Sequence, residues 1–144
     1  MSRELIYVDS LDDQRLDRFR LRERELRPRN IPARVFKTMQ TGEAEKITLG
    51  MFIAEGDLVV ERALAAGCRL VEVLTDAVSP SQIVDTIDSS IPVYAAHADV
   101  RKTLTGMGVA LDIMGLFERP APLKLNELLL GAHHLLVVED VDNL

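Results

Sequence analysis

The stretch MFIAEGDLVVERALAAGCRLVEVLTD, residues 51–76, decides the fold. It begins with a short apolar run typical of a strand, which an acidic residue and a glycine interrupt. Asp57 then favours the start of a helix, because its negative charge suits the positive helix N-terminus, and the helix should end near Gly67. A second apolar run, Leu70–Leu74, follows. The pattern predicts a strand, a helix and a second strand, with the strands parallel and the connection right-handed.

The composition fits one domain, with at most a fragment of another. The chain has 144 residues, of which 47% are hydrophobic. It has no run of about eighteen apolar residues, so we expect no membrane partner. The N-terminus is charged and lacks an apolar signal segment, which predicts a cytoplasmic location. The single cysteine, Cys68, permits no internal disulfide and is expected to be a small, partly buried residue.

The net charge of −6 is unevenly distributed along the chain. Residues 15–37 carry nine basic and three acidic side chains, whereas residues 38–144 carry seven basic and sixteen acidic ones. Because guanidinium groups match phosphate oxygens, five arginines of the basic segment are candidate phosphate contacts: Arg15, Arg18, Arg20, Arg22 and Arg24. An alternative stays open, in which these arginines form a solvated helix face or pair with the acidic body.

The remaining patterns complete a small α/β protein. Residues 5–8 predict a short strand, Ser10 caps a helix to about Leu26, and a weaker helix is expected over residues 35–49. After the central stretch, the patterns predict helices at 80–87, 98–104 and 125–130, and strands at 91–95 and 109–117. Pro92 restricts the strand at 91–95 to a sheet edge or places the proline at the strand start.

The C-terminal stretch His133–Asp140 is the most informative feature of the sequence. Its continuous apolar character is typical of a strand that is buried on both faces of a parallel sheet. It follows a stiff Pro-Ala-Pro linker, residues 120–122, and only four residues come after it. We therefore expect an unpartnered strand, one that belongs to a further domain.

Other candidate sites have weaker support. Gly106 and Gly108 lack the third glycine and the downstream acid of a dinucleotide-binding loop. The three histidines, at positions 97, 133 and 134, have no cysteine or carboxylate at ligand spacing, so we expect no metal site. Three acidic residues lie at the end of the C-terminal strand: Glu139, Asp140 and Asp142. Their spacing leaves two alternatives open, because it fits both an active site at a strand end and a solvated acidic turn.

The order of motifs resembles the SpoU/TrmH family of RNA 2′-O-ribose methyltransferases. The motifs are DDQRLDRFRLRERELR, the central stretch, IPVYAAHADVRKTLTG, FERPAP and LLVVEDVDNL, which together span nearly the whole chain. The resemblance implies a basic N-terminal helical arm at residues 1–34. It also implies a three-layer α/β/α substrate-binding domain at residues 35–120, similar to ribosomal RNA-binding proteins. Residues 121–144 would be a linker and the first strand of a truncated SPOUT domain.

The resemblance also implies a function. The full-length enzyme would bind S-adenosylmethionine, methylate a ribose 2′-hydroxyl in ribosomal or transfer RNA, and form a homodimer through the missing domain. This chain has only the opening of the family's first catalytic motif, which includes Asn143, so it would carry no catalytic residue and bind no cofactor. Where the family often has a His-x-His-Arg-Gly run, this chain has Gly108–Asp112.

A second hypothesis remains open on the residues alone. The chain could be a stand-alone, non-catalytic module that binds RNA or another protein. The arginine-rich helix would then pair with the acidic body, and residues 135–138 would complete the domain's own sheet.

Overall fold

The computed structural model describes residues 3–27, 50–105, 108–121 and 123–137. Five strands form one sheet: β1 (Ile6–Tyr7), β2 (Met51–Glu55), β3 (Leu70–Asp76), β4 (Val93–Ala96) and β5 (Ile113–Glu118). The helices in these ranges are α1 (Glu23–Leu26), α2 (Asp57–Ala65), α3 (Ala98–Leu104) and α4 (Leu125–Leu129), with short 3-10 turns at Gln14–Leu16 and Gln82–Thr86. None of these helices is long and apolar enough to cross a membrane.

The sheet is mixed, with the strand order β1–β4–β3–β5–β2. The strands β1, β4 and β3 pair in parallel, whereas β5 is antiparallel to both β3 and β2. The strands β2 and β3 therefore run in the same direction, as the sequence predicts, but β5 lies between them. The carboxyl ends of β1 to β4 meet at one edge of the sheet, where β5 begins, and we call this the carboxyl edge.

Both faces of the sheet are covered, which gives the expected three-layer α/β/α arrangement. On one face, the N-terminal segment and α3 pack on the strands through Leu16, Phe19, Leu26 and Val100. On the other face, α2 and the turn at residues 82–86 contribute Val60, Ala63, Ile83 and Val84. Two separate apolar clusters thus hold one sheet between them.

The central helix α2 forms as the sequence predicts. It begins at Asp57, and Gly67 follows it with a φ angle of 75°, a left-handed conformation that glycine adopts without strain. The helix buries Val60, while Glu61 and Arg62 face solvent. The amphipathic pattern of the sequence therefore identifies the buried face correctly.

The predicted helix from Ser10 to Leu26 is wrong as a single helix. Only α1 and one short turn are helical in this segment. Leu16, Arg18 and Leu21 are all buried, although a continuous helix, which advances about 100° per residue, would turn Leu16 away from the other two. The backbone of this segment is therefore not one continuous helix, and this allows all three side chains to face the sheet.

Other predicted boundaries need smaller corrections. The helix expected at residues 80–87 is a shorter 3-10 turn, and β5 begins at Ile113 rather than at residue 109. The strand β4 is internal, so Pro92 marks a strand start and not a sheet edge. The helix expected over residues 35–49 lies outside the described residues.

The C-terminal stretch does not form the predicted strand over residues 133–137, and residues 138–140 lie outside the described ranges. All described residues from 123 onward are exposed. Leu130, Leu136 and Val137 have exposed fractions of 80%, 85% and 80%. The described part of the chain therefore does not bury this apolar segment, and residues 135–137 do not complete the sheet.

We predict that Gly115→Ala destabilises the fold. A Cβ atom at this position of β5 would lie 2.7 Å from Cε2 of Phe117, a fully buried ring that stacks on Phe52 with ring centroids 5.3 Å apart. Because neither ring can move without losing contacts, chemical denaturation should show a free energy of unfolding lowered by about 1–3 kcal/mol. In a Phe117→Leu background the same substitution should cost less, and equal costs in both backgrounds would contradict the steric explanation.

Candidate nucleic-acid interface

The five candidate arginines occupy different environments in the structure. Arg15 lies on the surface, where its Nη2 is 2.5 Å from Oδ2 of Asp13. This hydrogen-bonded guanidinium holds the pKa of the Asp13 carboxyl below its ordinary value. Arg20 is also at the surface and forms an ion pair with Asp17. Both arginines can be reached from solvent, although each already has a local carboxylate partner.

Arg18 points into the protein. Its Nη2 lies 2.7 Å from Oε2 of Glu72, and the two side chains are only 6% and 0% exposed. Glu72 belongs to β3, the central strand of the sheet. In this conformation the guanidinium of Arg18 is not accessible to a phosphate, so burial argues against its predicted role as a phosphate contact.

Arg22 and Arg24 lie at the start of α1 and are exposed. Between them, Glu23 forms ion pairs with Arg27 at 2.9 Å and with Arg119 at 2.6 Å. Burial raises the pKa of Glu23, but the hydrogen bonds from Arg119 and Arg27 outweigh it, so the pKa lies below its ordinary value. Glu23 thus anchors α1 to the end of β5 and leaves the neighbouring arginines at the surface.

The described part of the arginine segment is almost neutral. Residues 12–27 contain six arginines and five acidic residues. The larger positive excess found in the sequence depends on Arg29, Arg34 and Lys37, which lie outside the described residues. Pairing with the acidic body, the alternative left open above, does occur at Arg18, whose partner is Glu72.

A groove of about 720 Å³ lies beside the arginine segment. Its lining joins three parts of the fold: residues 19–26, the edge strand β2 with the first turn of α2, and residues 103–105 at the end of α3. Arg20 and Arg22 contribute the basic side chains, and Phe52 and Val59 contribute apolar surface. We call this the arginine groove, and in it two exposed arginines border a concave, partly apolar space.

Glu55, the last residue of β2, lines the same groove and was not singled out in the sequence. Its side chain is half-buried, and burial raises the pKa of its carboxyl. None of the described residues forms a hydrogen bond or an ion pair with this carboxylate. The only sequence signal was its position in the FIAEG run, where it was interpreted as a residue that interrupts a strand.

Arg101, also missed in the sequence, is buried at the carboxyl edge with 1% exposure. Its Nε donates to the carbonyl oxygen of Ala96 at 3.1 Å, and the rest of the guanidinium donates to the carbonyl of Leu111 and the carboxylate of Asp76. One side chain thereby connects the ends of β3 and β4 to the loop before β5. Residues Gly108–Asp112 therefore belong to a loop that the buried Arg101 holds through the carbonyl of Leu111.

The remaining candidates from the sequence lie apart from the arginine groove. His97 occupies the N-cap position of α3 without a side-chain capping hydrogen bond and is exposed, as are His133 and His134 in the C-terminal segment. Within the described ranges, no group of three or more His, Cys, Asp or Glu side chains could hold a metal ion. The acidic residues of the C-terminal motif and Asn143 lie outside those ranges.

Solved structures share this fold. An RNA 2′-O ribose methyltransferase superposes with a TM-score of 0.53 and 19% sequence identity, over 80% of this chain and 38% of that chain. This chain has an RNA methyltransferase-like fold. An rRNA methyltransferase from Sinorhizobium meliloti also gives a TM-score of 0.53, with 18% identity over 82% of this chain and 38% of that chain.

A further match is an AdoMet-bound rRNA methyltransferase from Sinorhizobium meliloti, with a TM-score of 0.53 and 20% identity over 82% of this chain and 38% of that chain. No protein-family model and no curated protein sequence matches the chain. At these identities the likeness concerns the fold alone, and this chain spans 38% of the length of each structure.

We predict that removing the Arg18 guanidinium destabilises the fold. Arg18→Met leaves the buried Glu72 carboxylate without its ion pair, which typically costs about 3–5 kcal/mol of unfolding free energy. Arg15→Met, which removes an exposed pair with Asp13, should cost at most about 1 kcal/mol. Chemical denaturation compares the two variants. Equal, small losses would mean that the Arg18 pair is not a structural contact.

We predict that Glu55→Gln stabilises the fold at neutral pH. Burial raises the pKa of the Glu55 carboxyl in the folded state. The folded state is therefore more stable at low pH, where this carboxyl is protonated, and it loses that stability as the pH rises through the raised pKa. The advantage of the uncharged glutamine should therefore shrink at acidic pH. Thermal unfolding over a pH series measures this, with Glu61→Gln on the exposed face of α2 as the control. A difference independent of pH would contradict the prediction.

Proposed function

We propose that this chain is the RNA substrate-binding part of a cytoplasmic, S-adenosylmethionine-dependent methyltransferase of the SpoU/TrmH type, one that modifies ribose 2′-hydroxyls in ribosomal or transfer RNA. The observation that carries the proposal is the fold shared with part of an RNA 2′-O ribose methyltransferase. The order of sequence motifs supports the same function independently of the superposition. The full enzyme would act on RNA, and this chain would contribute binding.

The exposed C-terminal segment supports the proposal that a second domain follows the RNA-binding part. Leucine and valine side chains are exposed from residue 123 to residue 137, and exposed apolar surface of this extent is typical of interfaces. We propose that residues 121–144 are a linker and the first strand of a SPOUT domain, which would cover these side chains and form the homodimer. The boundary between the N-terminal arm and the substrate-binding domain stays a proposal at residue 34, and the arm contributes β1, which pairs with β4, and apolar side chains that pack on the same sheet.

We propose that S-adenosylmethionine binds to the full-length enzyme and not to this chain alone. The described grooves, including the one around Arg3 and the arginine groove, are open to solvent. Sites for cofactors of this size bury roughly 70–90% of the ligand surface. S-adenosylmethionine would supply the methyl group in the full enzyme, but we assign no residue of this chain to it.

RNA binding would use the exposed arginines, namely Arg15, Arg20, Arg22 and Arg24. A guanidinium group offers two parallel donors to phosphate oxygens, and its charge releases counterions from the RNA. Arg22 is the strongest candidate, because it is exposed beside the groove and no described carboxylate forms an ion pair with it. Arg18 is omitted from this set because its guanidinium is buried against Glu72.

We expect Arg22→Gln to weaken RNA binding and to reduce its salt dependence. Loss of one phosphate contact should lower the slope of log affinity against log salt by roughly 0.7–0.9. Arg62→Gln is the matched control, because it removes one exposed arginine from α2, on the opposite face of the sheet. Fluorescence anisotropy with a labelled ribosomal RNA fragment measures both slopes. Equal slopes for the two variants would remove Arg22 from the interface.

We also expect the chain to transfer no methyl group from radiolabelled S-adenosylmethionine to RNA. Measurable transfer by this chain alone would contradict its assignment as the binding part of the enzyme. A non-catalytic protein-interaction module is the second candidate, favoured by the pairing of Arg18 with Glu72 of the acidic body. A folded chain that binds no RNA in the anisotropy experiment would favour that candidate.

A further inference from the structure

We propose that Glu55 recognises a base: its carboxylate accepts hydrogen bonds from an unpaired guanine that binds in the arginine groove. This inference rests on the proposed function, because it requires that the chain bind RNA. It goes further by naming the residue that discriminates between bases and the base that it selects.

The first observation is the state of the Glu55 carboxylate. It lies in a groove, half-buried, and no described side chain or backbone group donates a hydrogen bond to it. Other carboxylates near the same segment do have such partners: Asp13, Asp17, Glu23 and Glu72 all form ion pairs with arginines. A partly desolvated carboxylate without a donor costs stability, and such a cost is typical of a group that a ligand is meant to satisfy.

The second observation is that the groove complements the other parts of a nucleotide. Arg20 and Arg22 provide charge for a phosphate. Phe52 and Val59 provide apolar surface for the face of a base, and Val59 is 49% exposed. The groove has a volume of about 720 Å³ and is open to solvent, so it can hold one base of a strand whose backbone continues outside it. The two arginines disfavour a cationic occupant, which the carboxylate alone would have attracted.

The chemistry of a carboxylate selects guanine among the four bases. Guanine presents two adjacent donors on its Watson–Crick edge, N1–H and the N2 amino group, which match the two carboxylate oxygens. Adenine and cytosine present one amino donor beside a ring acceptor, and uracil presents one donor between two acceptors, so each would place an acceptor against the carboxylate. In a double helix the guanine edge is already paired, and therefore the guanine must be unpaired.

The position of Glu55 is well defined for this role. It is the last residue of β2, it pairs in register with Met114 of β5, and α2 begins two residues later. Both neighbouring elements are packed in the core, because Met114 and Val60 are buried. A side chain on such a rigid support can discriminate between bases without a large ordering cost.

The test measures binding of the purified chain to short, fluorescein-labelled oligouridylates that carry one central guanosine, inosine or adenosine. Inosine keeps N1–H but lacks the N2 amino group. The unmodified chain should bind the guanosine probe about tenfold more tightly than the inosine or adenosine probe, the effect expected for a hydrogen bond to a charged acceptor. Glu55→Gln should lose this preference, and Glu61→Gln, which removes the same charge outside the groove, should keep it.

The possible failures are distinguishable. If the unmodified chain binds all three probes equally, or if Glu55→Gln keeps the preference for guanosine, this inference is overturned and the proposed function stands. If the unmodified chain binds no RNA at all, the proposed function fails as well. The guanosine and inosine probes test the inference on the unmodified chain, so a folding defect in the variant would not hide the result.

Discussion

A buried carboxylate on the central strand constrains much of this structure. Glu72 lies on β3 with no solvent exposure, and Arg18 reaches it from the N-terminal segment. Because an isolated buried charge is costly, this strand requires a cationic partner on the face that the N-terminal segment covers. The segment therefore turns Arg18 inward together with Leu16 and Leu21, which breaks the continuous helix. The same path leaves Arg20 and Arg22 at the surface, next to β2, so the groove follows from the burial of one acidic residue.

The parts of the fold that were predictable from the sequence are those in which local pattern and tertiary packing agree. In α2 the apolar stripe, the acidic first turn and the terminal glycine all indicate the same helix, and the structure has it. The N-terminal segment was mispredicted because its arginines look alike in sequence, whereas Arg18 pairs with a buried carboxylate that lies fifty-four residues away. The insertion of β5 between β2 and β3 is likewise a long-range pairing that no local pattern records.

The two glutamates of this sheet show why the groove could not be identified from residue types. Glu72 and Glu55 both lie on strands and both are removed from bulk water to some degree. Glu72 is balanced by Arg18, so it contributes to the packing of the core. Glu55 has no described donor, and burial raises the pKa of its carboxyl. Whether a carboxylate supports the core or is available to a ligand therefore depends on the groups that donate hydrogen bonds to it. Those groups are known only from the folded chain.

The ion pairs of the arginine segment do not prevent it from binding RNA. An exposed pair contributes only about 0–1 kcal/mol, because both charges remain hydrated and the side chains lose freedom when they pair. A phosphate offers Arg15 or Arg20 a second bidentate acceptor and gains from the release of counterions, so it can compete with Asp13 or Asp17. The buried pair of Arg18 and Glu72 cannot exchange in this way, because moving the guanidinium away would leave the negative charge of Glu72 in the core without its ion pair. Burial therefore separates Arg18, which supports the fold, from exposed arginines such as Arg15 and Arg20, which can exchange a carboxylate for a phosphate.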